Sequence, residues 1–232
     1  MQRNTHYAGK RGVRMNETAF WNQYAERYGE KSGDVAKDGA GAAYYHGTPR
    51  ILAVLKEPND SCGADLRQDF LNVGARWAIW HRLSEWAAGI LHEFPPYEDV
   101  YGHAILKNDA LRRIAVVNLK KLSGGASIDD AKLQRCAFRD RDFLRTQICS
   151  LKPTLILACG TFEPLLWLLE DSVSPGTDPE TQNVIPLQGD SVLVQWRHPS
   201  RCIGRKTYDG LRDIFKSPLL KGHIPGLSAP VV

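Results

Sequence analysis

Four short apolar runs, separated by stretches with helical spacing, constrain the fold more than any other feature of this sequence. The runs cover residues 51–55, 114–117, 153–159 and 191–196. Each is rich in Val, Ile and Leu without polar alternation, which is typical of a strand that is buried on both faces. Strands of this kind that alternate with helices predict an α/β fold, here a three-layer α/β/α arrangement with a central four-stranded parallel sheet.

The helices are predicted from the spacing of apolar residues between these runs. We expect helices over 71–92, 129–150, 162–169 and 208–215, and a short amphipathic helix over 18–28. Residues 29–47 are rich in Gly, Ala and Asp, which predicts a loop. The tryptophans at helical spacing within 71–92 indicate core packing, with a base-stacking surface as the alternative.

The length of 232 residues and the hydrophobic content of 43% favour one substantial core. We predict an N-terminal arm, a short helix and a Gly-rich loop over 1–47, followed by one α/β domain with a C-terminal tail over 48–232. The arm carries Arg3, Lys10, Arg11 and Arg14. It is interpreted either as a disordered leader or as a source of additional phosphate contacts.

Composition and motifs exclude several classes of protein. The five cysteines are scattered without a Cys-x-x-Cys pair, so we predict no disulfide framework, zinc finger or iron–sulfur cluster. The sequence contains no Walker loop, no Gly-x-Gly-x-x-Gly turn, no Gly-x-Ser-x-Gly elbow and no His-Glu-x-x-His helix. Phosphoryl-transfer, dinucleotide-binding, hydrolase-elbow and zincin functions therefore lack support.

The apolar content also bears on location and partners. No apolar run approaches the roughly 20 residues that cross a bilayer, and residues 1–14 lack the apolar centre of a signal peptide. We expect a cytoplasmic protein with no membrane partner. The net charge of +4 permits a polyanionic partner without requiring one.

A polar or glycine residue follows each apolar run. Glu57 follows the first run, Asn118 the second, Gly160 the third and His198 the fourth. In open parallel sheets, ligands bind beyond the carboxyl ends of the strands, so we expect these residues to lie at one edge. Each has an ordinary alternative: a helix-capping Glu, an Asn that satisfies loop amides, or a surface His. Their joint placement predicts a functional site.

Four motifs in this order resemble the uracil-DNA glycosylase superfamily. The first is Lys56-Glu57-Pro58-Asn59, and the second is the strand VVNLKKL with Asn118. The third is the KP-apolar-Gly strand over 152–160, and the fourth is Arg197-His198-Pro199-Ser200-Arg201. The resemblance covers roughly residues 48–216, and the ordered set is more specific than the His-Pro-Ser motif alone.

The resemblance implies a monofunctional DNA glycosylase that flips a base out of DNA and hydrolyses its N-glycosidic bond without a metal or cofactor. Glu57 would stabilise the sugar cation and orient or deprotonate water, and His198 would donate a hydrogen bond to the departing base. Asn118 would read the base edge. Phe70 would stack on the base, although packing of Phe70 in the core remains an equal alternative.

One departure from the family pattern concerns the substrate. Uracil-specific members place a Tyr after the proline of the first motif, whereas this sequence has Asn59 after Pro58. The smaller side chain leaves room for a 5-substituted pyrimidine beside these two base-binding residues. Glucosylated hydroxymethylcytosine of phage DNA would indicate antiviral defence; hydroxymethyluracil and mismatched thymine are open alternatives. Glu57, where the family usually has Asp or Asn, reaches one methylene further.

DNA contacts are predicted from the loops beside the motifs. Small residues allow backbone N–H groups to approach phosphate, and cationic side chains neutralise it. Arg201 or Ile203 would fill the gap left by the flipped base. The predicted DNA-binding residues are Lys56, Lys121, Ser123, Gly124, Gly125, Ser200, Arg201, Arg205 and Lys206.

Several alternatives remain open at this point. The chain is predicted to act as a monomer on DNA, as a defence glycosylase or as a uracil or mismatch repair glycosylase. The other candidates are a non-catalytic DNA- or base-binding module, a glycosidase of free nucleosides, and a structural protein.

Overall fold

A six-stranded mixed sheet forms the centre of the computed structural model, which describes residues 16–59, 63–125, 128–177, 183–200 and 202–223. The order across the sheet is β1-β3-β2-β4-β6-β5. The strands are β1 (Gly39–Ala40), β2 (Ile51–Leu55), β3 (Ile114–Asn118), β4 (Leu155–Cys159), β5 (Val184–Leu187) and β6 (Ser191–Trp196).

The pairings confirm the α/β class and correct the predicted sheet. β2 pairs in parallel with β3 and with β4, and β4 pairs in parallel with β6. The edge strands β1 and β5 are antiparallel, so the sheet is mixed and has six strands rather than four parallel ones. The edges escaped prediction because β1 has only two residues and β5 contains Pro186, which disfavours a strand.

Helices cover both faces of the sheet. They are α1 (Glu17–Arg27), α2 (Ala78–Leu91), α3 (Tyr97–Tyr101), α4 (Ala104–Arg112), α5 (Asp130–Arg139), α6 (Arg141–Leu151), α7 (Phe162–Leu168), α8 (Gly204–Phe215) and α9 (Pro218–His223). Single turns of 3₁₀ helix occur at Tyr44–His46 and Glu170–Ser172, and a π-helical turn occurs at Arg67–Leu71. No helix in the described part of the chain has the length and apolar content to cross a membrane.

The two faces of the sheet carry separate apolar cores. Ile51, Ala53 and Leu55 of β2 pack in one core with α2, α4 and α8. Leu52 and Val54, which alternate with them, pack in the other core with α5, α6 and α7. Because both faces are buried, the strand needs no polar alternation, which explains the continuous apolar runs in the sequence.

The predicted helix over 129–150 is two helices, α5 and α6, which meet at Asp140. The Asp140 side chain is buried and accepts hydrogen bonds from the hydroxyls of Tyr24, at 2.9 Å, and Tyr28. These bonds also attach α1 to the domain. The helix predicted from residue 71 begins only at Ala78, because the π-helical turn and a short connection precede it.

The segment predicted as a loop over 29–47 contains the edge strand β1. β1 pairs with β3, and isolated bridges join Val35 to Leu122 and Lys37 to Asp65. Asp38, directly before β1, is only 2% exposed. The basic residues of the predicted arm lie outside the described residues.

Candidate active site

The strand register brings the predicted motifs to the same end of the sheet, where the parallel strands have their carboxyl ends. Because β3, β2, β4 and β6 are parallel neighbours, their carboxyl ends lie side by side. Leu55 pairs with Asn118, and Cys159 pairs with Trp196. The segments that carry Glu57, Asn118 and His198 therefore leave the sheet at the same end, the carboxyl end of the parallel strands.

Glu57 forms a largely buried ion pair with Lys120. The Lys120 Nζ atom lies 2.6 Å from the Glu57 Oε2 atom, and the two side chains are 10% and 7% exposed, respectively. Lys120 also donates to the carbonyl oxygens of Leu122, at 2.9 Å, and Ser123, at 3.3 Å. All three N–H donors of the ammonium group therefore have acceptors, which restrains both charged side chains.

The Glu57–Lys120 pair follows from the parallel register. Leu55 lies opposite Asn118, so the residues two positions further on lie opposite each other. Backbone bonds from Leu119 N to Leu55 O (3.0 Å) and from Lys120 N to Lys56 O (3.1 Å) continue the pairing beyond the strands. In the sequence, the opposite charges of Glu57 and Lys120 at equal distances from the strand ends are a usable signal for this pair.

Gly124 lies directly against the Glu57 carboxylate. Its N–H donates to the Pro58 carbonyl oxygen at 2.9 Å, and it forms an isolated bridge with Asn59. A Cβ atom at this position would overlap both carboxylate oxygens of Glu57. The absence of a side chain at Gly124 therefore makes room for the carboxylate. Pro58 is buried, and Asn59 is exposed beside it.

Asn118 lies in a buried polar cluster with Asp38, Lys121 and Gln147. The Asn118 backbone N and side-chain Nδ2 atoms donate to Asp38 Oδ2 at 2.7 and 3.2 Å. Lys121 Nζ lies 2.9 Å from both carboxylate oxygens, and Gln147 Nε2 donates to Oδ1 at 2.7 Å. Asp38 and Gln147 were not predicted, because each is remote from Asn118 in the sequence.

This cluster corrects the role predicted for Lys121. Its side chain is fully buried with that of Asp38, so it belongs to the core rather than to a surface that contacts phosphate. Burial lowers the pKa of Lys121, and the ion pair with Asp38 opposes that effect. The consecutive lysines are both turned inward, toward two different carboxylates.

His198 is half-buried and held by the loop that follows it. The Ser200 hydroxyl lies 2.8 Å from His198 Nδ1, and the Ser200 N–H donates to the same atom at 3.3 Å. Burial, with a smaller effect of the nearby Lys56 charge, lowers the pKa of His198 to about 4. At neutral pH the ring is therefore uncharged. Because a backbone N–H can only donate, Nδ1 is the acceptor, and we assign the ring proton to Nε2.

Gly160 connects the His198 loop to the first motif. Its backbone is left-handed, with φ of +69°, a conformation that favours glycine. A Cβ atom built there would lie 3.2 Å from His198 Cβ and 3.5 Å from Lys56 Cε. His198 and the residue before Glu57 thus flank the same turn. Lys56 itself donates to Asp130 at 2.7 Å.

Phe70 packs on the face of the sheet that carries α2. Its ring is stacked on that of Trp80, with centroids 4.8 Å apart and planes 10° apart. The side chain is only partly buried. The structure therefore gives Phe70 the core contact that was one of the two predicted roles.

The remaining predicted DNA contacts lie in the loops and in the first turn of α8. Arg205 and Lys206 are exposed, and Arg205 forms an ion pair with the exposed Glu98. Ser123 is half-buried, whereas Gly125 and Ser200 are exposed. Arg201 lies outside the described residues.

Two concavities on the described part of the molecule are lined by other residues. One, of about 700 Å³, is lined by Asp99, Gly102, His103, Ala104 and Ile105. Another, of about 230 Å³, is lined by Glu17, Thr18, Trp21, Asn22, Ser32, Lys37, Asp65 and Arg67. Neither is lined by Glu57, Asn118 or His198, and within the described ranges no three His, Cys, Asp or Glu side chains are grouped to hold a metal ion.

Comparison with known proteins gives no assignment: no protein-family model matches the chain, and no curated protein matches it significantly.

We expect Gly124→Ala to destabilise the protein, because the new methyl group overlaps the Glu57 carboxylate. Overpacking of this kind costs about 1–3 kcal/mol of unfolding free energy. Urea denaturation measures the loss. The matched control is Gly125→Ala, since a Cβ atom there meets nothing within 4 Å. Equal stability of the two variants would contradict the packing of Glu57 against Gly124.

His198 should make stability depend on pH. The pKa is about 4 in the folded protein and 6.5 for an unperturbed imidazole, so the unfolded state binds the proton more readily between these values. The free energy of unfolding is therefore highest above pH 6.5, and it decreases as the pH falls from 6.5 toward 4. Urea denaturation should show wild type losing stability relative to His198→Gln over this range. An NMR titration midpoint near 6.5 for His198 would contradict the assignment.

Proposed function

We propose that the protein is a DNA glycosylase of the uracil-DNA glycosylase superfamily that excises a modified pyrimidine. The observation that carries the proposal is that the predicted catalytic groups follow the carboxyl ends of neighbouring parallel strands. There a carboxylate, Glu57, and a neutral imidazole, His198, follow strands on either side of the Gly160 turn. Both groups suit cleavage of an N-glycosidic bond, because positive charge develops on the sugar and negative charge on the base.

His198 would act on the leaving base. Its Nδ1 atom is occupied by Ser200, so the proton on Nε2 is the one available for a hydrogen bond to a base oxygen. As the bond between C1′ and the base nitrogen breaks, its electron pair moves onto the base. A neutral N–H donor stabilises that negative charge without requiring the imidazole to be protonated first.

Glu57 would act on the sugar and the water. Its carboxylate stabilises the cationic sugar and accepts a proton from the water whose oxygen forms the new bond to C1′. Lys120 restrains the carboxylate but brings a positive charge close to it. The two carbonyl oxygens that also accept from Lys120 offset part of that charge.

The proposed substrate class follows from Asn59. This residue is exposed, next to the buried Pro58, where uracil-specific relatives have a bulky Tyr. The smaller side chain supports a base with a substituent at the 5-position. We extend the proposal to 5-substituted cytosines of phage DNA, such as glucosylated hydroxymethylcytosine, and thus to antiviral defence.

A specific observation favours one alternative, a non-catalytic base-binding module. Glu57 is 7% exposed and already paired with Lys120, so water and sugar reach it only if neighbouring groups move. A module that keeps this pair closed would bind a modified base without releasing it. Product formation separates the two functions.

We expect the protein to release a free base from DNA with 5-substituted pyrimidines, detected by mass spectrometry on a panel of phage and synthetic DNAs. Glu57→Gln keeps the size of the side chain but removes its charge, and it should lower the rate at least about 100-fold. Release of unmodified uracil alone would remove the defence proposal. Binding without release of any base would favour the non-catalytic module.

Neutralising Arg205 and Lys206 together should weaken binding to all DNA sequences alike. Removing two phosphate contacts lowers the salt slope of log K by about 1 to 2. The matched control is Arg212→Gln/Lys216→Gln, which removes the same charge from the other end of α8. Fluorescence anisotropy between 50 and 200 mM salt, about the range over which such contacts weaken, gives the slopes. Equal slopes for the two double variants would contradict the placement of DNA beside Arg205.

A further inference from the structure

Asp38 is bonded to the backbone and to the side chain of the residue that would read the base. Its Oδ2 atom accepts from Asn118 N at 2.7 Å and from Asn118 Nδ2 at 3.2 Å. We infer that Asp38 is a positioning residue that fixes the orientation of the Asn118 amide and thereby selects between cytosine-type and uracil-type bases. This inference rests on the proposed function.

The chemistry of the carboxylate fixes which way the amide is turned. An ionised carboxylate only accepts hydrogen bonds, so it can face the Asn118 NH₂ group but not the amide oxygen. Asp38 is paired with Lys121 through both carboxylate oxygens, at 2.9 Å each. The Asn118 Oδ1 atom is therefore turned away from Asp38, and the reverse orientation would set two acceptors against each other.

The carboxylate itself has little freedom to move. Gln147 donates to Asp38 Oδ1 at 2.7 Å, and the next residue, Gly39, is registered opposite Val116 of β3. Asp38, Lys121 and Gln147 are each at most 2% exposed. A rotation of the Asn118 amide would thus break a hydrogen bond inside a buried cluster, where an unsatisfied group is costly.

An asparagine in one orientation distinguishes the two pyrimidine types. A uracil-type base presents a donor at N3 and an acceptor at O4, whereas a cytosine-type base presents an acceptor at N3 and a donor at N4. For a base in a given position, the amide matches one pattern, and rotation by half a turn matches the other. Fixing the amide therefore fixes the choice.

The test replaces the charged pair by an apolar one, with Asp38→Leu/Lys121→Met. The double change avoids leaving a buried lysine without its counter-ion. The side chain introduced at position 38 offers no acceptor to Asn118 Nδ2, so neither orientation of the Asn118 amide is favoured. The matched control, Gln147→Leu, removes the hydrogen bond to Asp38 Oδ1 but leaves the ion pair of Asp38 with Lys121 and its hydrogen bond from the Asn118 amide in place.

The readout is the ratio of kcat/KM for a cytosine-type and a uracil-type base with the same 5-substituent in the same oligonucleotide. For wild type and Gln147→Leu we expect a ratio of about 100-fold or more. For Asp38→Leu/Lys121→Met we expect a ratio of less than about tenfold, because no hydrogen bond then holds the Asn118 amide in one orientation. An unchanged ratio in the double variant overturns the inference, while base release by the wild type upholds the proposed function. No base release by wild type overturns both.

A second measurement does not depend on the variant folding. In the wild-type protein, the Asn118 side-chain NH₂ protons should exchange with solvent at least about 100-fold more slowly than those of the exposed Asn22, because one of them is bonded inside the cluster. Exchange of the Asn118 protons as fast as those of Asn22 shows an amide that is free to turn, and it overturns the inference.

Discussion

Two lysine–carboxylate ion pairs follow β3 and stabilise the end of the sheet at which the proposed site lies. Lys120 bonds to Glu57 after β2, and Lys121 bonds to Asp38 before β1. Successive side chains of an extended segment point to opposite sides, so adjacent lysines reach different partners. The first pair restrains the Glu57 carboxylate. The second pair restrains Asp38, which in turn accepts a hydrogen bond from the Asn118 amide. Removing one partner of such a pair leaves a buried charge, which typically costs about 3–5 kcal/mol.

The central strands were predictable from sequence because burial on both faces removes polar residues from them, as in ILAVL over 51–55. The position of Glu57 and Asn118 at strand ends follows from the same pattern. The edge strands were not predictable in this way, since β1 is too short for any periodicity and β5 contains a proline. The predicted helix breaks at Asp140, whose hydrogen-bond partners Tyr24 and Tyr28 lie more than 100 residues earlier.

The site was harder to predict than the strands because its partners are distant in the chain. Asp38 is separated from Asn118 by 80 residues and from Gln147 by 109. Lys120 and Lys121 look like solvated charges on a turn when only local sequence is considered. Register changes that interpretation for Lys120, since it places this lysine opposite Glu57. No local pattern identifies Asp38, which stands among small residues and becomes significant only through β1.

Neighbouring groups cover the proposed site, and this limits how a base could reach it. Asn118 is 1% exposed and the Glu57 side chain 7%, so contact with a nucleotide requires neighbouring groups to move. A ligand shifts a closed state toward an open one only through contacts that favour the open state. In a glycosylase those contacts come from DNA phosphates and from the flipped base itself. Lys120 is suited to this change, because its ammonium group is held by loop carbonyls at 122 and 123 as well as by Glu57. Movement of that loop would therefore alter the environment of the carboxylate on binding of the proposed DNA substrate.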